Sequence, residues 1–149
     1  MTSTRSHPVI KNHYSKTEKN ELKFAKKIRK LVLQDKYSDI YSYFDTNVTS
    51  DITLKQFIRG ISTTKKLLAT KVRSSKIKTV ETFRKVAHLH SIGVGEPASG
   101  EYIQFIFITS YKRSAVKTEL DITLARGSHT TYKIKGFNYY LLIPKSQDK

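Results

Sequence analysis

His88 and His90 stand two residues apart, so on a β-strand both imidazoles fall on one face, a geometry that can hold a transition metal. Glu119 and Asp121 repeat the spacing with carboxylates and could act as a paired acid and base. Strand alternation explains the acidic pair without chemistry, because Glu119 and Asp121 fall opposite Leu120 and Ile122 and are expected to face solvent. The chain has no Cys, which excludes disulfides, thiolate nucleophiles, Cys-ligated zinc and iron–sulfur clusters. It also has no Gly-rich phosphate loop, no G-x-S-x-G elbow and no H-E-x-x-H spacing. Ser and Thr are plentiful, but none stands in a recognisable nucleophile context. No catalytic residue, metal ligand or cofactor is assigned.

Charge is the second chemical signal. The 149 residues carry 28 Lys+Arg against 12 Asp+Glu, a formal net charge of +16. The excess is uneven: residues 1–36 balance at +7, residues 37–54 at −3, residues 55–92 at +9 and the remainder at +3. Lys65, Lys66, Lys71, Arg73, Lys76, Lys78, Arg84 and Lys85 form the densest basic run, a candidate contact stripe for a polyanion such as nucleic acid, anionic lipid or glycan. Lys outnumbers Arg 21 to 7, and few aromatics interleave with the run. Bidentate base reading favours Arg and single-strand binding favours stacking rings, so a sequence-specific reader is not expected. A solvated, solubilising Lys face explains the same residues.

The elements that must position these groups follow from periodicity. Residues 1–17 are polar and without period, and read as a flexible tail with no apolar signal-peptide core. Glu18 to Leu33 places Leu22, Ala25, Ile28 and Val32 on one helical stripe, with Ser15 and Glu18 at capping-box spacing. Such a basic amphipathic helix can lie on an anionic membrane, but strands follow it, so its stripe is expected to pack on a sheet. Asp35–Phe44 predicts a short aromatic helix, and Asp45–Asp51 a break. Thr53 and Gln56 cap a third helix reaching about Thr70, in which Gly60 suggests close packing. From Val72 the pattern alternates. Residues 72–84 predict a strand, Val86–Ile92 its continuation or a second strand, and Gly93–Gly100 a loop. Tyr102–Tyr111, apolar on both faces, predicts a central strand. Residues 116–124 read as a half-buried strand and Thr131–Leu142 as the last one. Helices first and short-turned strands after imply a single α+β domain over residues 18–143, with 144–149 a short tail. No apolar run approaches the roughly 18–20 residues of a membrane span.

This order of elements resembles the cystatin-like, nuclear-transport-factor-like superfamily. Asp35-Lys36-Tyr37 through Phe44, then Leu54 and Phe57, is similar to the family's short aromatic helix and the helix start after it. Gly100-Glu101-Tyr102, Thr118-Glu119 and Tyr132-Lys133-Ile134-Lys135-Gly136-Phe137 are similar to motifs of a bacterial domain of unknown function in that superfamily. That family has Trp where this chain has Tyr132, Tyr where it has Phe137, and the reverse order at Thr118-Glu119. The resemblance implies helices packed on a curved, antiparallel four-stranded sheet, a cone that in some relatives holds a ligand and in others is filled by side chains. It also implies an exported or envelope location.

The combined expectation is a non-catalytic module that binds another protein, itself included, in a bacterial envelope or secretion assembly. Its partner face would be the polar side of the sheet, with Lys117, Glu119 and Asp121. The alternative is a basic polyanion-binding domain using the 65–85 stripe. A third class is a small-molecule enzyme of the same fold with a cavity lined by Tyr41, Phe57, Phe105 and Tyr139.

Overall fold

The computed structural model describes residues 15–72, 77–89, 102–125 and 132–145, with 78–89 described by their backbone. Helix α1 spans Lys16–Leu33. Ser15 Oγ accepts from the Glu18 N–H and Glu18 Oε1 accepts from the Ser15 N–H, both at 3.1 Å. With Ser15 as the cap, Lys16 is the first helical residue, so the helix starts two residues before the expected Glu18. Leu22, Ala25, Ile28 and Val32 are buried as their spacing requires, and Glu21 is buried with them. Glu21 lies four, seven and eleven residues before Ala25, Ile28 and Val32, hence on the same face.

The helix ends on Asp35, whose φ of 58° is left-handed. The Asp35 N–H donates to the Val32 carbonyl and the Lys36 N–H to the Leu31 carbonyl, at 3.2 and 3.0 Å. This is the paired-bond ending that satisfies orphan carbonyls, and Asp tolerates the left-handed backbone better than most residues. Because Asp35 turns the chain, α2 is confined to Tyr37–Tyr41 and is shorter than its aromatic spacing suggested. The expected break at Asp45–Asp51 contains a further short helix, α3, Thr46–Thr49. Asp45 caps it by accepting from the Asn47 N–H at 3.0 Å, and Val48 is buried. Helix α4, Leu54–Lys71, begins with the reciprocal Thr53–Gln56 bonds at 3.1 and 2.9 Å. Phe57 and Ile61 are its buried anchors. Gly60 is exposed, and a Cβ built there meets nothing within 4 Å, so the expected close packing is absent.

The strands β2 (Tyr102–Tyr111), β3 (Lys117–Ala125) and β4 (Ile134–Leu142) form an open antiparallel sheet. The backbone of β1 (Ile77–Leu89) runs antiparallel along β2, from Ile77 opposite Tyr111 to Leu89 opposite Tyr102. Between β3 and β4 the register slips: Thr123 faces Gly136 and Leu124 faces Ile134, leaving Lys135 as the extra residue of a bulge. A glycine beside a bulge is where a strand can spare a side chain.

The helices pack on the face carrying Ile103, Phe105, Phe107, Leu120, Ile122, Leu124 and Ile134. At about 25 cal/mol per Å² of apolar surface removed from water, such burial is the dominant force holding the layers together. The chain is therefore α+β, helices against an antiparallel sheet. Among the described residues, no helix is long and apolar enough to cross a membrane.

Candidate functional site

Among the described residues, two clefts lie where the helical layer meets the sheet. The larger, about 710 Å³, falls within the roughly 300–1,000 Å³ range of small-molecule and cofactor sites. One wall is α3 and the start of α4, contributing Val48, Asp51, Ile52, Gln56 and Phe57, and the other is Lys135, Gly136, Phe137 and Asn138 of β4. Its floor is aromatic. Phe44 and Phe57 meet at 4.9 Å between centroids, Phe57 and Phe137 at 5.3 Å, and Phe44 and Phe137 at 5.8 Å, all edge to face. Such ring pairs contribute about 0.5–1.5 kcal/mol each beyond area burial, so the three rings form a rigid nest.

The ends of the cleft are fixed by polar contacts. Lys135 Nζ lies 3.0 Å from Asp45 Oδ2. Burial alone would raise the Asp45 carboxyl, but the Asn47 N–H, Lys135 and Lys133 together hold it below the usual carboxylate range. Asp45 also pairs through its backbone: its N–H donates to the Ile134 carbonyl at 2.9 Å, and the Ile134 N–H donates to the Tyr43 carbonyl at 2.8 Å. Phe44 and Ile134 thus make a parallel bridge on the outer edge of β4. The Tyr41 hydroxyl donates to the Ile52 carbonyl at 2.6 Å and pins the α3–α4 connection.

The second cleft, about 450 Å³, lies between the ends of α1 and α4 and the sheet, against Tyr111 and Tyr139. Lys65 at its rim donates to the Val32 carbonyl and to the Asp35 carboxylate. The bond from Lys65, then that from the Tyr37 hydroxyl, hold Asp35 below its ordinary range, and burial with Asp35 pushes Tyr37 up to about 12. Behind the cleft, Tyr111 and Thr118 hydroxyls are 3.0 Å apart. Burial, then Tyr111, raises the Tyr139 phenol, which stays neutral and a donor at physiological pH. Arg29 donates to Thr109 Oγ1 at 3.3 Å, and burial lowers its pKa.

These placements correct several sequence expectations. Tyr41, Phe57, Phe105 and Tyr139 do not line one cavity. Phe105 is fully buried in the core, Phe57 faces the larger cleft and Tyr139 the smaller, while Tyr41 packs on Phe44 and Phe57. Packed aliphatic side chains fill the space between them. The face with Lys117, Glu119 and Asp121 is not an open polar surface either: Asp121 is only 8% exposed, and Lys117 and Glu119 are half-buried. Its β2 neighbours on that face, Tyr102 and Ile106, are only 2% and 4% exposed, so this face of the sheet is itself closed to solvent there.

Lys65 leaves the basic stripe because its ammonium is committed to the end of α1, where helix carbonyls and Asp35 attract a cation. Lys66 and Lys71 are exposed on α4. Arg73, Lys76 and His90, and the side chains of Lys78, Arg84, Lys85 and His88, lie outside what is described. Among the described residues, no group of three His, Asp or Glu could hold a metal ion.

The nest itself went unread in the sequence, since Phe44, Phe57 and Phe137 come from three separate elements. Its one local trace is the small residue Gly136 beside Phe137 in the last strand that the sequence predicts. No family model, curated protein or solved structure matches the chain.

Proposed function

We propose that the chain is a non-catalytic binding module that holds another protein through the cleft over Phe44, Phe57 and Phe137. The observation that carries this reading is the make-up of that cleft: a preformed aromatic floor, apolar walls from Val48 and Ile52, and a thin polar rim. Its one lysine is already tied to Asp45, leaving it to orient rather than to react. Sites of this kind bind by burying an anchor side chain, with polar groups at the edge giving specificity. In this reading β1 to β4 form the curved four-stranded sheet of a cystatin-like, nuclear-transport-factor-like cone. The setting in a bacterial envelope or secretion assembly rests on the resemblance at Gly100-Glu101-Tyr102 and residues 132–137. Self-association through Lys117, Glu119 and Asp121 is no part of it, because Asp121 is buried.

The test is the substitution Ile52→Glu, which puts a charge on the cleft wall at a half-buried position. The variant is expected to keep its circular dichroism spectrum and to lose the complexes that the native chain forms in its own cells, resolved on native gels. Complexes that survive Ile52→Glu would refute the reading.

A second reading is favoured by a different observation. Lys66 and Lys71 on α4, and Lys19, Lys23 and Lys30 on α1, are all exposed in a chain of net charge +16. A polyanion would bind this helical surface, and its affinity would fall steeply with salt. Heparin retention that disappears on Lys66→Glu/Lys71→Glu, with Ile52→Glu without effect, selects this reading over the first.

A further inference from the structure

The geometry points to a specific mode of engagement at this cleft, one that rests on the reading just given: the partner adds an extended strand to the outer edge of β4. Four consecutive residues of β4, Lys135 to Asn138, line the cleft. Successive side chains of a strand point to opposite faces. Beyond the bulge at Lys135, Phe137 and Asn138 point to opposite faces and both line the cavity, which therefore reaches the strand's edge.

The chain itself has begun to fill that lane. Tyr43 to Asp45 pair with Ile134 in a parallel bridge, and at Asp45 the chain turns away into α3. Both backbone groups of Ile134 point outward, so its pair with Leu124 is of the non-hydrogen-bonded class. Ile122–Phe137 and Leu120–Tyr139 stand two and four residues along β3 and belong to the same class. Phe137 and Tyr139 thus turn their N–H and C=O groups to the same outer edge. Among the described residues, no backbone hydrogen bond reaches those groups from that side.

An unpaired edge beside an apolar nest is the arrangement by which sheets capture extended peptides: ladder bonds give affinity, and pockets for alternate side chains give specificity. The nest takes one aromatic or large aliphatic side chain. Asp51 on the wall and the Lys135–Asp45 pair leave the cleft itself without excess positive charge, so acidic residues are favoured only at the segment's flanks, by exposed Lys133 next to the bulge and the net charge of +16. The occupant is therefore an extended segment of another protein with acidic flanks, a central aromatic and alternating apolar residues.

The probe is the peptide acetyl-Asp-Val-Glu-Phe-Glu-Val-Asp-amide, titrated into the ¹⁵N-labelled full chain. Two analogues carry N-methyl groups, one on the Glu amides and one on the Val and Phe amides. A strand has two edges, so only one analogue blocks the bonds to β4. Strand addition requires that one analogue bind at least about fivefold more weakly while the other matches the parent. It also requires slowed exchange of the Phe137 and Tyr139 amides, and weaker binding when Lys replaces the acidic residues. If both analogues match the parent, with shifts at the Phe44 and Phe57 rings but no slowed exchange, strand addition is wrong and the cleft reading stands. If the parent shifts no residue of the cleft, both are wrong. Should the unlabelled chain protect those amides while the peptide does not, the occupant is a second copy and the proposal fails.

Discussion

Replacing Gly60 with alanine separates two accounts of the middle of α4. A glycine there suggests, from sequence, a helix packed so closely that no Cβ fits. In the structure the position is exposed, its φ is not left-handed, and an added methyl meets nothing within 4 Å. With no contact to lose, only the backbone matters. Alanine narrows the unfolded ensemble and is the better helix former, together a gain of about 0.5–1 kcal/mol. For a chain of this size that corresponds to a melting temperature higher by roughly 1–4 °C. The assay is urea unfolding followed by circular dichroism at 222 nm. The midpoint is expected to move up by roughly 0.2–0.5 M with an unchanged slope, taking a typical slope of about 2 kcal/mol per M. A lower midpoint would mean that something rests against Gly60 and that the placement of α4 is wrong.

Four further outcomes follow from the same geometry. Phe57→Ala removes the ring that touches both Phe44 and Phe137, and is expected to cost about 3–5 kcal/mol in urea unfolding, whereas Phe57→Leu should lose far less. The Asp45 carboxyl is held below its ordinary value, so it stabilises the fold above the unfolded pKa near 3.9, and that contribution is lost as pH falls through the lower folded value. Asp45→Asn should accordingly lower stability by roughly 1–2 kcal/mol at pH 7 and by much less at pH 2, measured by unfolding at both. Lys65→Met is expected to lower the melting temperature without changing heparin retention, because Lys65 serves the end of α1. Lys66→Glu/Lys71→Glu, on exposed positions, should leave the melting temperature nearly unchanged.

What could be read from the sequence was local. Ser15–Glu18 and Thr53–Gln56 are capping boxes in both sequence and structure, since a cap is made by residues three apart. The two-sided apolar run of β2 foretold a central strand, and its burial on both faces agrees. The errors arose where a distant element decides. Asp121 alternates like a solvent-facing residue on β3, yet Ile106 stands opposite it on β2 and the site is buried. Glu21 is a charged residue that no sequence expectation placed in the core, although helical phase puts it on the stripe with Ala25 and Ile28. Its charge adds to burial in raising the Tyr132 hydroxyl, a pairing across 111 positions of sequence that no window contains. Lys65 read as one base in a run, but what it holds is the carbonyl of a residue 33 positions away. The candidate site depends on such long-range placement throughout, because its floor joins a turn, a helix and an edge strand.

The most direct test of the cleft as the contact surface is a photo-crosslinking amino acid at Gln56, on the cleft wall and exposed, compared with the same group at Lys66 on the outer side of α4. In the native cell, Gln56 is expected to give a discrete protein adduct that Ile52→Glu abolishes, and Lys66 none. Adducts from Lys66 with none from Gln56 would contradict the account.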